Sequence, residues 1–272
     1  MIVGVPKEVK NHEYRVGLTP DQVFELNKAL QKLAEEEFDI PLYISIDQEG
    51  GMVTRMKNGS TFFPGAMSEA RNIELDPIMD KTGVLDLIVI SPDDPEAMMR
   101  HSEVAQARGI AFAADPSQQM ARMSGEEIKL LITGATYLFL NEYELALAIQ
   151  KTGWSDREIL EQVQYRIVTL GSDGARVESR HGETIKVTCP KEKAKIDPTG
   201  VGDSFRSGFI AGLAWGLSHE RCAQLGSMIA TYVIETTGTQ EYRFTSAEFL
   251  ERFSKAYGAS AAAEIEPHLP KR

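Results

Sequence analysis

The chain has 272 residues, 42% of them hydrophobic and 25% charged, as in a soluble globular protein with one large domain or one core and a small appendage. Its net charge of −11 argues against a nucleic-acid partner, because binding to phosphates needs a basic surface. Two cysteines do not make a disulfide framework. The charged N-terminus is not typical of a signal peptide, and no apolar run is long enough to span a membrane. We therefore expect a cytoplasmic protein.

Residues 1–61 predict a strand at 2–5, a helix at 19–37 and a second strand at 42–46. The second strand leads into the polar, glycine-containing stretch of residues 47–51. This opening segment fits poorly with the pattern that follows it.

Between residues 84 and 170, short apolar runs alternate with amphipathic segments. The predicted strands are residues 84–91, 110–114, 137–140 and 166–170. Strands and helices that alternate at this spacing indicate right-handed crossovers and a parallel sheet, and therefore an α/β fold.

Helix-start signals separate these strands. Asp94 precedes a proline, Ser124 and Glu127 form a capping box, and Asn141 opens a third helix. Gly134 is expected to end the second of these helices.

After residue 170 the pattern changes to two short β-rich runs that flank His181-Gly182, which predicts a hairpin. Three helices are then predicted, at residues 202–217, at 220–235, and from a cap at Thr245 or Ser246 onward. The last of them carries its aromatic residues on one face.

The strongest chemical signal is the string Asp197-Pro-Thr-Gly-Val-Gly-Asp-Ser-Phe, which ends at residue 205. Gly200 and Gly202 let the backbone approach a ligand closely, and the positive end of the following helix favours an anion there. Asp203 at the mouth of this cup is placed to accept a proton from an attacking hydroxyl. The other interpretation is a glycine-rich loop with a capping aspartate, and the length of the string favours function.

This string resembles the second signature of the ribokinase-like (PfkB) carbohydrate and adenosine kinase family. Other matches follow the order of that family. Residues 141–144 resemble its N-x-x-E motif, residues 169–174 resemble the segment beside its nucleotide, and residues 63–67, 114–119 and 236–241 resemble its bacterial adenosine-kinase branch. The resemblance covers about residues 62–272.

The resemblance implies an ATP-dependent kinase that acts on a sugar or nucleoside hydroxyl. It implies roles for three groups of residues. The catalytic group is Asp203 as the base with Gly200, Val201 and Gly202; the nucleotide group is Thr169, Gly171, Gly174 and Thr199; the magnesium group is Asn141 and Glu144.

Several of these residues have a structural interpretation as well. Asn141 and Glu144 could simply cap a helix, and Gly171 and Gly174 could bound a turn. Asp115 either binds a ligand or caps a turn. The family pattern would also give Asp197 and Thr236 a role in binding K⁺.

The implied fold is the ribokinase-like three-layer Rossmann-type α/β fold with a mostly parallel sheet, its N-terminal half and lid truncated or replaced. Residues 1–30 instead resemble the N-terminus of alanine dehydrogenase, and residues 41–67 resemble a segment of family 3 glycoside hydrolases, with Asp47 as the sugar-binding residue. The chain is therefore interpreted as a mosaic, with an atypical segment at 1–61 and a kinase domain at 62–272. A nucleotide-binding remnant without kinase activity and a glycosidase-like fragment are the alternatives.

Overall fold

A computed structural model of the chain describes residues 86–92 and 94–269. The chain divides into two units, residues 1–84 with 93–100 and residues 85–92 with 101–272. Of the elements in the described residues, the second unit holds the sheet and every helix that begins after residue 108. The strands and helix expected within residues 1–61 lie outside the described residues, as do the segments with the two other family resemblances.

In the part of the chain that the structure describes, six strands form one sheet whose spatial order is the same as their order in the chain. They are β1 (Ile88–Ile90), β2 (Phe112–Ala114), β3 (Tyr137–Asn141), β4 (Tyr165–Thr169), β5 (Ala175–Ser179) and β6 (Thr184–Val187). The pairings from β1 to β4 are parallel, and those of β5 with β4 and β6 are antiparallel. The ribokinase-like α/β fold with a mostly parallel sheet is confirmed.

Eight α-helices accompany this sheet in the described residues. They are α1 (Pro95–Arg108), α2 (Gly125–Ile132), α3 (Glu142–Thr152), α4 (Asp156–Glu161), α5 (Val201–Ala214), α6 (His219–Ile234), α7 (Ser246–Tyr257) and α8 (Ala259–Ile265). Short α4 and α8 were not predicted. None of these described helices has the length and apolar character of a membrane span.

The helix starts follow the local sequence. At α2 the Ser124 hydroxyl accepts a hydrogen bond from the backbone N–H of Glu127, and the Glu127 carboxylate accepts one from the N–H of Ser124. Thr245 and Glu248 repeat this capping box at α7. The predicted caps therefore form, since each one satisfies N–H groups that a helix leaves unpaired in its first turn.

The core of the second unit lies between the sheet and helices α5 and α6. Phe209 on α5 is fully buried, and its ring meets the Phe139 ring of β3 edge to face, with centroids 5.4 Å apart. Gly208 comes so close to α6 that an added β-carbon would lie 2.7 Å from the Cα of Gly226. This packing fixes the N-terminus of α5 relative to the ends of the strands.

Candidate active site

Functional side chains collect where the parallel strands end. Asn141 is the last residue of β3 and pairs in register with Thr169, the last residue of β4. Asp115 directly follows β2. The carboxyl ends of parallel strands are the usual place for a ligand in an open α/β sheet.

The glycine-rich string forms the turn into α5. Gly200 is the N-cap residue and has a φ of +76°, a left-handed conformation that favours glycine. The first intrahelical hydrogen bond runs from the N–H of Ser204 to the carbonyl of Gly200, over 2.9 Å. The N–H groups of Gly202 and Asp203 precede that bond, so they belong to the set that a helix leaves free for a capping group or a ligand.

The Asp197 carboxylate stabilises this turn by accepting two backbone hydrogen bonds. One of its carboxylate oxygens accepts a hydrogen bond from the N–H of Thr199 at 2.9 Å, and the other accepts one from the N–H of Gly238 at 3.0 Å. Thr199, predicted to bind the nucleotide, therefore uses its backbone to shape the loop. The Asp197 carboxylate ties the loop to the segment after α6.

A cavity of about 660 Å³ opens beside the start of α5. Its size is that of a small-molecule site. The sequence-predicted residues in its wall are Asn141, Thr169, Gly171, Gly174, Val201 and Gly202. The structure thus brings together six positions that are spread over more than sixty residues of the chain.

The rest of the cavity wall includes residues that sequence reasoning missed. Cys189 and, from α6, Ser227, Ala230 and Thr231 line the cavity. They belong to no local motif. The packing of α6 against the sheet places its three residues here, whereas Cys189 lies just after β6. The Thr231 hydroxyl donates to the Ser227 carbonyl at 2.7 Å, an ordinary bond within the helix.

Asn141 and Glu144 form a capping box at the start of α3. The N–H of Asn141 donates to the Glu144 carboxylate, and the N–H of Glu144 donates to the Asn141 side-chain oxygen, both at 2.8 Å. Capping thus accounts for the conformation of both side chains. A carboxylate has two oxygens, so this bond leaves Glu144 able to accept a water or a metal ion at the other.

Three charged groups face one another near the strand ends. The Arg206 side chain lies on α5 and forms ion pairs with Asp115, at 2.8 Å, and with Asp203. Asp203 is 76% exposed in its side chain, whereas that of Asp115 is 1% exposed. The sequence singled out Asp115 and Asp203, but it gave no reason to select Arg206.

The Asp115 carboxyl lies in a buried environment that disfavours its charged form. Burial and the nearby Glu144 and Asp203 carboxylates together raise its pKa to about 7, against the opposing effect of the Arg206 charge. Its Oδ2 is 3.4 Å from the Ser91 hydroxyl, and its buried Oδ1 meets no hydrogen-bond donor in the described part of the chain. A titratable group perturbed in this way beside a cavity is a candidate functional residue.

Comparisons with known proteins show which sequences this chain resembles. The sequence pattern of the pfkB family carbohydrate kinases matches residues 50–245. A nucleoside kinase of Methanocaldococcus jannaschii is 29% identical over 222 residues, which cover 82% of this chain and 69% of that protein.

Solved structures give the same result for the fold. The nucleoside kinase of Burkholderia thailandensis in complex with inosine is 28% identical, with a TM-score of 0.65 over 87% of this chain and 80% of its own. The same kinase has been solved in complex with ADP-inosine, and it matches with a TM-score of 0.65 over 87% of this chain and 74% of its own.

Proposed function

The chain belongs to the pfkB family of carbohydrate kinases, and from this premise we propose that it transfers the γ-phosphoryl group of ATP to a hydroxyl of a nucleoside. The observation that carries the proposal is the cavity of about 660 Å³ whose wall contains the free N-terminus of α5. The two similar nucleoside kinases favour a nucleoside over a simple sugar as the acceptor.

The wall of the cavity suits a nucleotide. It combines three glycines, whose backbone no side chain covers, with apolar side chains such as those of Val201 and Ala230. The glycines are Gly171, Gly174 and Gly202. Pockets of this kind bind a flat, partly apolar group and fix its orientation with a few polar contacts. We assign the base and ribose of ATP to the side of the cavity formed by Gly171 and Gly174, with the phosphates near Gly202.

Asp203 would act as the general base. Its carboxylate would accept the proton of the acceptor hydroxyl while that oxygen bonds to the γ-phosphorus and the bond to the bridging oxygen breaks, which releases ADP. The N–H groups of Gly202 and Asp203 would bind the negative charge on the transferring group. Preorganised donors of this sort contribute about 3–4 kcal/mol of transition-state stabilisation each.

Mg²⁺ fits the residues that are present. The described residues contain no cluster of three or more side chains of the types that hold a metal. Mg²⁺ is usually bound by one or two carboxylates together with phosphates and water, so Glu144 with the ATP phosphates would suffice. There the ion would neutralise phosphate charge. K⁺ near Asp197 and Thr236, the cytoplasmic location and the domain boundary at 61/62 remain predictions from the sequence.

The test is a turnover assay with MgATP and a panel of acceptors: adenosine, inosine, cytidine, ribose and fructose. Asp203→Asn preserves the shape of the side chain but removes the base, so it should lower kcat by roughly 10²–10⁴-fold while ATP affinity changes little. Glu251→Gln is a matched control, because Glu251 is also an exposed helical carboxylate in an ion pair.

Each outcome has a clear meaning. Turnover of a nucleoside that Asp203→Asn abolishes and Glu251→Gln preserves would support the proposal. Equal turnover by the wild-type and Asp203→Asn chains would remove Asp203 as the base. ATP binding without turnover of any acceptor would support the alternative of a nucleotide-binding protein without kinase activity.

A further inference from the structure

The Arg206 guanidinium contacts a carboxylate on each of two sides. Its Nε is 2.8 Å from Oδ2 of buried Asp115, and its Nη2 contacts Oδ1 of exposed Asp203. Its third nitrogen, Nη1, lies 3.5 Å from the position that a β-carbon on Gly202 would occupy. The guanidinium therefore lies over the first turn of α5, beside the N–H groups assigned to the phosphate.

We propose that Arg206, anchored by Asp115, is a positioning residue that fixes the orientation of the Asp203 carboxylate. This inference rests on the proposed function, in which Asp203 is the base. Neither Arg206 nor Asp115 belongs to the glycine-rich string, so the string alone does not imply these roles.

The exposure of Asp203 shows why such a residue is needed. Its side chain is 76% exposed, and its backbone is fixed as the third residue of α5, so the carboxylate can still rotate about its side-chain bonds. An exposed ion pair between two flexible side chains rarely holds either of them, because ordering both costs as much as the attraction gains. A lone pair between Asp203 and Arg206 would therefore not position the base.

Asp115 changes this balance. Its carboxylate is buried at the end of β2 and meets Nε of Arg206, which leaves the planar end of the guanidinium directed at Asp203. A planar guanidinium that is already ordered loses little further freedom when it bonds a second carboxylate. The chain of contacts thus transmits the rigidity of the sheet to an exposed side chain on the helix.

The loss of folding stability that comes with burying the Asp115 carboxyl supports a functional role for this residue. Asp115 is a buried acid whose Oδ1 lacks a donor among the described residues, and such a group lowers the stability of the folded state. Groups that a fold retains at such a cost concentrate in active sites. Here the cost has a specific use, since Asp115 provides the anchor for Arg206.

The experiment measures kcat and KM for ATP and for the best acceptor in four chains: wild type, Arg206→Ala, Arg206→Lys and Arg221→Ala. Misplacing a reacting group by about 1 Å can lower the rate about 10²-fold, so Arg206→Ala should lower kcat about 10–100-fold with KM for ATP nearly unchanged. Arg221 is the matched control, because its side chain is similarly shielded and pairs with Glu264 at 3.0 Å, on α6 and α8.

Added methylguanidinium should restore part of kcat in Arg206→Ala, because it can occupy the space between the two carboxylates. It should have no effect on the wild type or on Arg221→Ala. Arg206→Lys should be intermediate, since an ammonium cannot bridge both carboxylates with the geometry of a guanidinium. Circular dichroism melting of each chain shows whether a low rate reflects unfolding.

A double-mutant cycle tests the anchor. Asp115→Asn alone should lower kcat about 5–20-fold, which is less than the roughly 10²-fold loss expected when a reacting group is misplaced by about 1 Å. In the Arg206→Ala chain, Asp115→Asn should have no additional effect, because Asp115 acts through Arg206. Additive losses of kcat in the double variant would overturn the proposal, because they would show that Asp115 and Arg206 act independently. A folded Arg206→Ala chain with the wild-type kcat would also overturn it, as would a loss confined to KM for ATP, which would make Arg206 a phosphate ligand. If the wild-type chain turns over no acceptor, the proposed function fails and this inference fails with it.

Discussion

At the scale of single residues, the site is defined by how differently its carboxylates are placed. Asp115 is buried at the end of a strand, Glu144 caps a helix, and Asp203 is exposed at the first turn of α5. Three acids of similar chemistry therefore have three different environments. Environment sets which of them can serve as a base, an anchor or a metal ligand.

Asp115 should make stability depend on pH. Its pKa is raised from 3.8 to about 7 by burial, so the folded chain binds a proton more tightly than the unfolded chain. The stability that it contributes is fully present below pH 3.8 and is lost as the pH rises to about 7. In urea titrations, the free energy of unfolding of the wild type minus that of Asp115→Asn should fall with pH across this window, by up to about 1.4 kcal/mol per pH unit. A difference that does not change with pH would contradict the raised pKa.

The two glycines of the turn should respond differently to alanine. A β-carbon on Gly200 would lie 2.7 Å from Thr239, and its φ of +76° is unfavourable for alanine, so Gly200→Ala should destabilise the fold by about 1–2 kcal/mol. Among the described residues, a β-carbon on Gly202 would come within 4 Å of the Arg206 side chain alone, at 3.5 Å, so the fold should tolerate that change.

Gly202→Ala should therefore preserve the melting temperature but raise KM for ATP and lower kcat, because the methyl group adds bulk at the first turn of α5, where we assign the phosphates, and beside the Arg206 guanidinium. Kinetics and melting curves of the two variants measure this contrast. If Gly202→Ala matched the wild type in both constants, the phosphate would not be bound at this position.

Much of the site could be predicted at this scale, because short motifs specify local backbone. The turn at Gly200 and the capping box of Asn141 and Glu144 follow from neighbouring residues alone. Arg206 and Thr231 could not be predicted, since Arg206 acts through a contact with Asp115, distant in the chain, and Thr231 reaches the cavity only through the packing of α6. No local pattern records such distant contacts.

At the scale of elements, the helix starts and the strand positions agree with the predictions, and the differences have physical causes. β1 was predicted at residues 84–91, of which 84 and 85 lie outside the described residues, and it forms over Ile88–Ile90. Apolar character extends past the residues that pair with a neighbour, and pairing sets the ends of a strand. Short α4 was missed because its six residues carry too few turns for a periodic pattern.

Buried Arg166 on β4 links three elements and should matter for stability. Its side chain is fully buried and pairs with Glu178 on β5 at 2.8 Å and with Asp156 on α4 at 3.0 Å. Arg166→Ala leaves the largely buried Glu178 carboxylate with less charge compensation, so the free energy of unfolding should fall by about 3–5 kcal/mol. Arg157→Ala removes an exposed pair with Glu161 and should cost at most about 1 kcal/mol. Urea denaturation of both variants measures the difference, and equal losses would show that burial does not matter here.

At the scale of the whole molecule, the fold places the start of α5 beside the ends of β3 and β4, and one cavity results. The α/β class followed from the alternation of strands and helices. The antiparallel pair β5 and β6 followed from the change of pattern near residue 175. The contribution of α6 to the cavity wall did not follow, because it depends on the close approach of Gly208 to Gly226.

Nucleotide binding should stabilise the whole described fold. A ligand that binds only the folded state at about 100 times its Kd adds about 2.7 kcal/mol, which for a chain of this size raises Tm by roughly 5–10 °C. Differential scanning fluorimetry with MgATP measures the shift, and tripolyphosphate, which lacks the base and ribose, isolates the contribution of the phosphates. An unchanged Tm at millimolar MgATP would contradict the assignment of the cavity to a nucleotide.

The order of the strands has a consequence for how the chain folds. Each of the six described strands pairs with its neighbour in sequence, so Ile88 meets Phe112 and Ala113 meets Tyr137 across short stretches of chain. Chains dominated by such local pairings close small loops first and fold faster than chains whose strands must find distant partners. The shortest of these connections join β4, β5 and β6, so this part of the sheet should form early. In pulsed hydrogen exchange, amides of β3 and β4 should become protected together with those of the β5–β6 hairpin, before those of α7 and α8.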